Sequence, residues 1–573
     1  MKGSERERRS SLDCIPLRRT PQTIVHRTTG HIQRQFKMTS PIASFIERRP
    51  LGTSHKHGLQ GGGALDEPFD VVVIGSGAAG AVAAETFVRT GLRTLLLEEG
   101  ARLRSDADNA AVDADATRAL AGNDVIGWDT KGWPWTTRNL GGGTVFYGGA
   151  SFRYTDFDFD PGERIHVDGL QVKWPTDAAA LAPFYAEMEA RLSVDHAGFM
   201  YSPRQAPASL SLPAEHLWAG ALRLGLSPRP TPIAVDRARC DLCSLCISAP
   251  CTRGAKRDVV GALLSPLADA SNFLLLTGVK AVSLSQANRS CVDAVQCMDA
   301  MSGQVRTIRG QRFVLACNAI QTAALLLRSV TSYAPGGLGN EHDLVGRGLC
   351  MKLSEYSRGV VKADREQIDA HDVGYRGPFS TVCVLDHYLD EQCPTGVGGL
   401  IYEAKHDDWR QLEVNGLVLR VETILADHPG LHNRVRLSSN RDRWGLPQIM
   451  IDYTKDPRDI ARLAYMVQRS KDWLEASGAD DIREEPSDFA MGSTHLHGTC
   501  RAGHDARTSV VNANGRVHSL DNVYVADGSY MPYPGGLNPT LTIQANALRI
   551  ARLVAQEAVS QASATFAPKP AFR

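Results

Sequence analysis

The sequence predicts an α/β protein in which a Rossmann-like, dinucleotide-binding domain carries an inserted antiparallel-sheet domain. Three observations predict it. Residues 69–100 read strand, glycine turn, helix, strand; residues 351–485 change to alternating segments such as LVLRVETIL and NRVRLSS; residues 541–550 return to a helix apolar over most of its circumference. At 573 residues and 43% hydrophobic content, the chain has enough apolar material for two such domains.

In the first stretch, Val71 to Ile74 runs into Gly75-Ser76-Gly77-Ala78-Ala79-Gly80, and an Ala-rich helix precedes a second apolar run, Leu95 to Leu97, ending at Glu98. Each glycine has its own task. Gly75 permits the turn, Gly77 lets backbone N–H groups approach a pyrophosphate, and Gly80 lets the helix lie close on the strand. The helix directs its positive end at the phosphates. Glu98 stands where a carboxylate accepts hydrogen bonds from a ribose diol. With strands, helix and acid in this order the stretch reads as a dinucleotide site, and by itself it leaves FAD and NAD(P) both open.

Residues 1–66 lack periodicity, contain scattered prolines and end in a glycine run, a basic extension expected to be disordered, with Met38 as an alternative start. Residues 1–60 hold twelve Lys/Arg against four Asp/Glu, a net +8, which leaves the rest of a formally neutral chain at −8. An acidic body attracts cations over long range, although ordinary surface charge is the plainer account. No apolar run approaches the roughly 18 residues that span a bilayer, and polar residues follow RERRSS where an export signal needs an apolar core. The expected location is the cytoplasm, with the twelve cysteines as free thiols. Four of them, Cys240, Cys243, Cys246 and Cys251, crowd into CDLCSLCISAPC. The spacing nearly matches a ferredoxin run, but its last gap is one residue too long and no proline follows. A thiol-lined loop is therefore favoured over an iron–sulfur cluster or zinc.

The other elements follow in order. A helix is expected near Ala110 to Ala121, and then GWPWTTRNLGGGTVFYGGASFRY, where Gly142 and Gly143 mark backbone that hugs a flat ligand or, alternatively, a plain hairpin. Residues 176–195 have helical spacing and are expected to leave this domain. Phe273–Leu276, Val279–Leu284, Val292–Met298 and Arg312–Leu315 read as strands. Asn318, at the bend of ACNAIQTAALLLRS, is the non-glycine residue type best able to turn left-handed there. Near the end, HLHGTCRAG at 495–503 precedes NVYVADGSYMPYPGG and LNPTLTIQANALRIARLVA. Asn538-Pro539-Thr540 reads as a helix start, a capping side chain followed by proline at the first helical position. The expected organisation is a nucleotide-binding domain of residues 67–350 and 495–560, a substrate-binding domain of 351–494, and a tail of 561–573.

The opening fingerprint, the Gly-rich segment after Leu140, H-x-x-G-T-x-R at His495 to Arg501, VADGS at 525–529 and GGLNPTLTIQANALRIA, in that order, resemble the glucose–methanol–choline (GMC) oxidoreductases over nearly all of residues 67 to 560. Within the family, WPWTTRNLGGGTVFYGGASFRY, ACNAIQTAALLLRS, GRGLCMKLSEY and HLHGTCRAG resemble the aminoglycoside-biosynthetic members of the paromamine 6′-oxidase type. The resemblance implies the GMC oxidoreductase fold, an FAD-binding Rossmann-like domain with an inserted substrate-binding domain. It implies FAD on Gly75, Ser76, Gly77 and Gly80, with Glu98 on the adenosine ribose and Gly142 and Gly143 at a second flavin contact. Asp527 and Gly528 fall at the ribityl–pyrophosphate region, and Pro539 and Thr540 open the helix that faces the site. The implied catalytic pair is His495 and Asn538. This sequence departs from the family pattern twice. It reads H-L-H-G-T where many members read H-P-V-G-T, so that an extended segment would put His497 on the same side as His495. It also has Asn318 where the bend is usually glycine.

Oxidising an alcohol requires removal of a hydroxyl proton and transfer of a hydride from carbon. A neutral imidazole, with an ordinary pKa of about 6.5, suits the first task, and a positioned base contributes about 10²- to 10⁴-fold. His495 is the expected base, with Asn538 holding the same oxygen and the positive end of the last helix favouring negative charge nearby. The substrate implied is a cationic amino sugar, the 6′-hydroxyl of paromamine or a related aminoglycoside intermediate. Its aldehyde product would pass to an aminotransferase, and oxygen is the expected electron acceptor, giving hydrogen peroxide. His497, Glu485 and Asp488 are the candidate substrate contacts, together with Glu484; a solvated charge run is the plainer account of the acids. The rival reading is a sugar or polyol dehydrogenase that passes electrons to another acceptor, with a cluster at the cysteine loop as the relay. Neither nucleic acid nor a membrane is an expected partner.

Overall fold

The computed structural model describes residues 51–59, 62–103, 125–126, 136–165, 167, 172–195, 210–243, 246–247, 250–362, 378–405, 416–485 and 495–566. The expected helix near Ala110 to Ala121, Asp488, residues 1–50 of the extension and residues 567–573 of the tail lie outside them.

Six strands form a parallel sheet in the order His55–His57, Phe273–Thr277, Thr94–Glu98, Val71–Ile74, Phe313–Leu315 and Val523–Val525. Its central strands are apolar and buried along their whole length, as they must be when both faces are covered. The helix Ala78–Arg89 packs against the long closing helix Thr540–Phe566 beside this sheet. As expected, that last helix is apolar nearly all round: Leu541, Ala545, Ala547, Leu548 and Ile550 have no exposed surface. The register fixes the site. Ile74 pairs with Leu97 and Leu315, and Leu315 pairs with Val525. The strands therefore end level, and Gly75, Glu98, Ala316 and Ala526 follow along one edge, at the carboxyl ends where open α/β sheets bind ligands.

The second large sheet is antiparallel: Asp480–Glu485, Leu353–Val361, Leu417–Leu425, Leu400–Glu403, Val382–Val384 and Arg229–Pro230. The helix Pro457–Ala476 lies on it, begun by Asp456, which accepts a hydrogen bond from Arg458 N at 2.8 Å, and by proline in its first turn. Leu217, Trp218, Leu419, Val421, Trp473 and Leu474 form the core between them. This sheet draws on residues 212–230 as well as on the later segment, because the helix Leu212–Arg223 packs on Pro457–Ala476 and Trp473 Nε1 donates to Leu217 O at 2.7 Å.

Three local expectations need correction. Residues 51–59 and 62–66 are ordered: His55–His57 adds the outermost parallel strand, tied by Ser54 N to Ala268 O at 2.9 Å and by His55 Nε2 to Thr277 Oγ1 at 2.9 Å. The helix Ala178–Arg191 does not leave the nucleotide domain but lies on the last helix, with Tyr185 and Thr542 hydroxyls 2.7 Å apart and Arg552 paired to Glu187 at 2.6 Å. The closing helix begins at Thr540, and the Asn538 side-chain oxygen does not cap it, having no hydrogen-bond partner among the described residues.

Candidate active site

The fingerprint turn is shaped by its three glycines in different ways. Gly75 has φ +98°, and a Cβ there would lie 2.4 Å from Ala316 O; a Cβ on Gly80 would lie 1.8 Å from Gly75 O. Those two are fixed by the protein itself. Gly77 is different, since a Cβ there would meet nothing within 4 Å and the helix it precedes has no side-chain cap. Open space in front of uncapped helical N–H groups fits a pyrophosphate, and the ADP half of FAD fits the residues present.

The Gly-rich segment lies directly on this turn. Gly141 N donates to Ser76 Oγ at 3.0 Å, and the site of a Gly142 Cβ is 3.1 Å from Gly77 Cα, so Gly142 and Gly143 stand beside the fingerprint. Ser76 is wholly buried and occupied internally: its Oγ donates to Glu98 at 2.6 Å and its N–H at 3.1 Å. Gly100 N donates to the other Glu98 oxygen at 2.8 Å. Burial pushes the Glu98 carboxyl up to about 7 against these bonds. The carboxylate keeps acceptor capacity for a ribose hydroxyl, since its two oxygens offer about four lone-pair sites.

Asn318 has φ +75°, the left-handed turn expected of it, and its Oδ1 accepts from Ile320 N at 2.9 Å and Gln321 N at 3.2 Å. Asp527 links that bend to the last parallel strand, accepting from Thr322 Oγ1 at 2.6 Å and Ser529 N at 2.9 Å. The HLHGTCR segment runs beside it. Gly498 N donates to Gly528 O at 3.2 Å and Cys500 N to Ser529 O at 3.0 Å, and a Cβ on Gly528 would sit 2.6 Å from Leu496 O. Sequence neighbours of the nucleotide site are thereby joined to the reacting end.

At that end His497 exchanges both backbone hydrogen bonds with Cys350, at 2.9 and 3.0 Å, which places Lys352 beside the two imidazoles. Burial, and next the Lys352 ammonium, hold both His495 and His497 well below the ordinary imidazole range; His495 adds to the effect on His497. Both rings are neutral at physiological pH, the form a general base requires. Neither ring nitrogen of His497 meets a partner in hydrogen-bond geometry among the described residues. Lys352 Nζ donates to Leu537 O, the residue before Asn538, so one ammonium connects the 495–497 segment to the 537–538 segment. Asn538 is 6% exposed, one end of its amide faces the Tyr402 hydroxyl, and its Oδ1 has no partner. Tyr402 in turn donates to Glu422 at 2.5 Å.

The acidic candidates are placed otherwise. Glu485 is held between Arg358 at 2.6 Å and Arg420 at 2.8 Å, and Glu484 is paired with Lys471 at 2.5 Å, so both charges are already met by the protein. The four clustered cysteines are free thiols, Cys246 being pushed up to about 12 by burial, and no group of three or more His, Cys, Asp or Glu among the described residues is arranged to hold a metal.

The residues that sequence reasoning passed over are those that hold 534–538. Tyr154 donates to Pro534 O and Tyr388 to Asp158, while Gly536 N donates to Tyr388 Oη at 2.8 Å and to Asp158 at 3.2 Å. Tyr154, Asp158, Lys352 and Tyr388 come from three separate stretches; Tyr154 closes the Gly-rich motif GWPWTTRNLGGGTVFYGGASFRY and Lys352 lies in GRGLCMKLSEY, while Asp158 and Tyr388 lie in neither.

A parallel sheet with a glycine turn open to a pyrophosphate, beside a buried pair of neutral imidazoles, has the parts of an alcohol oxidoreductase that uses a dinucleotide cofactor. GMC oxidoreductase family models match residues 69–354 and 429–547, and the chain belongs to that family; FAD is its cofactor. It is similar to the 6′′′-hydroxyparomomycin C oxidase of Streptomyces lividus, 53% identical over 92% of this chain and 98% of the relative. It is also similar to the paromamine 6′-oxidase of Streptomyces fradiae, 52% identical over 90% of this chain and 96% of the relative. Among solved structures, pyridoxine 4-oxidase from Mesorbium loti shares the fold, with a TM-score of 0.60 at 19% identity, covering 85% of this chain and 99% of that one.

Proposed function

We propose that the protein oxidises a primary hydroxyl of an aminoglycoside-type amino sugar, the 6′-hydroxyl of paromamine or of a close relative, to the aldehyde. Two relatives above 50% identity along almost the whole chain are named as oxidases of such compounds, which supports the substrate class. The observation that carries the mechanism is the buried, unmet Asn538 oxygen at the same end of the site as two buried, neutral imidazoles. The Asn538 amide oxygen caps nothing, and the imidazoles beside Lys352 are held neutral.

In this reading His495 takes the hydroxyl proton as the C–H bond weakens. Asn538 holds the same oxygen in line; a half-turn of its amide exchanges which end meets substrate, so it can offer an N–H donor. FAD, when bound, supplies the acceptor for the hydride. Gly77 and the N-terminus of Ala78–Arg89 would bind its pyrophosphate in a turn that Gly75, Ser76 and Gly80 shape, Glu98 its ribose, and Gly142, Gly143, Asp527, Gly528, Pro539 and Thr540 would border the rest. Oxygen is the final acceptor, yielding hydrogen peroxide, and an aminotransferase is the reaction class that would consume the aldehyde. Eleven free cysteines among the described residues suit a reducing cytoplasm.

The test is an anaerobic panel of paromamine, larger aminoglycosides carrying a free primary hydroxyl, and neutral sugars. The reading expects the first two groups to bleach the flavin and to return one peroxide per aldehyde when air is admitted. Bleaching by neutral sugars alone would overturn the substrate class, and bleaching without peroxide would overturn the acceptor.

A further inference from the structure

Lys352 stands out among the described charged residues. It is fully buried, at φ +56° in a conformation that side-chain-bearing residues rarely adopt. Its backbone is held there by Asp427, which accepts from Lys352 N at 3.0 Å and Met351 N at 2.8 Å and is itself bonded by the Tyr453 hydroxyl at 2.7 Å. Taking an ammonium out of water is expensive unless a counter-charge meets it. Here the partners of Nζ are neutral oxygens, Leu537 O and, at 3.3 Å, Tyr154 Oη, with the Tyr154 ring 5.4 Å away. The nearby carboxylates are engaged elsewhere: Asp427 as above, and Asp158 by Thr155, Tyr388 and Gly536. A lysine kept under these terms is placed for something other than stability.

We propose that Lys352 is a positioning residue for the oxidation: through the Leu537 carbonyl it aims Asn538, and as a buried cation over the acidic range it opposes a second positive charge on His495 or His497. The proposal rests on the assignment of His495 as base. The groups that face the ammonium are Asp158 and Tyr154 from residues 154–159, Asp427 from the turn after Leu417–Leu425, Cys350 on its own segment, and the two imidazoles. Burial lowers Lys352 to about 7, so it is charged over the acidic range where the imidazoles would otherwise protonate. The sign is then fixed. Removing the cation raises both imidazoles, and the loss of rate on the acid side moves to higher pH.

The experiment measures anaerobic flavin reduction by paromamine across pH in the wild type, Lys352→Met, Lys352→Arg and His495→Ala holoenzymes. Lys352→Met is expected to lose about tenfold or more in the limiting rate through misaimed Asn538 and to shift its acid limb upward by about one pH unit. Lys352→Arg keeps the charge and is expected to hold the limb in place while losing rate. An unmoved limb and a rate within about twofold in Lys352→Met would overturn the proposal. If that variant yields no folded flavoprotein, an upward-shifted limb in Lys352→Arg overturns it instead. Unimpaired reduction in His495→Ala refutes the base assignment itself, which separates the two failures.

Discussion

Ser76 and Glu98 at the nucleotide turn satisfy one another, whereas at the reacting end the Asn538 oxygen and both His497 nitrogens lack hydrogen-bond partners among the described residues. A buried polar group left unmet costs roughly 1–3 kcal/mol. The contrast separates residues that shape the protein from residues that wait for a ligand: Gly75, Gly80, Ser76 and Asn318 are fixed by their own neighbours, while Gly77, His497 and Asn538 face something the protein does not supply.

The sharpest way to break that division is within the fingerprint. Gly80→Ala drives a methyl into Gly75 O and should destabilise the fold by about 3 kcal/mol or more, seen as a large fall in denaturant midpoint. Gly77→Ala meets open space and should change apoprotein stability by no more than about 1 kcal/mol, yet lose most of its bound FAD by absorbance after gel filtration. Equal stability losses in both would erase the distinction.

Asn538→Ala sharpens the comparison at the other end. Because its oxygen caps no helix, stability should stay within about 0.5 kcal/mol of wild type, while anaerobic flavin reduction slows by about tenfold or more. A capping residue would show the reverse, about 1 kcal/mol of stability and little rate. The pH profile follows from His495, which burial and the Lys352 ammonium keep below 6.5: the reduction rate should persist as pH falls through 6.5, and a half-maximum at the ordinary imidazole value would count against a depressed base. The smallest effect is expected at Glu485. Its charge is met by Arg358 and Arg420, so Glu485→Gln should leave the KM for paromamine within about twofold, and a tenfold rise would restore it as a substrate contact.

The nucleotide turn was legible because its chemistry is contiguous: each glycine's role depends on residues a few positions away, and the left-handed bend at Asn318 follows from residue type alone. The helix after Pro539 was legible from its apolar circumference, and the resemblance already implied a catalytic task for Asn538; what failed was the capping geometry that Asn-Pro suggests, since that pattern cannot report that the helix starts two residues on. The acids at 484–485 read as substrate contacts or, more plainly, as a solvated charge run, and neither reading gives their pairing within the protein. Their partners come from other elements: Lys471 from the helix on the sheet, and Arg358 and Arg420 through the strand register, with Tyr356 opposite Glu485 and Arg420 stacked 3.8 Å over that ring. Lys352 and Tyr154 lie inside family-like motifs and Tyr388 does not, but the role of all three was illegible for the same cause, because it exists only where distant segments meet.

One measurement bears most directly on the central claim that an imidazole of the 495–497 segment and the Asn538 amide serve the same reacting oxygen. Anaerobic stopped-flow reduction by paromamine should be about 10²- to 10⁴-fold slower in FAD-loaded His495→Ala than in wild type, with His497→Ala much less affected. Reduction at the wild-type rate in His495→Ala, with flavin content unchanged, would contradict it.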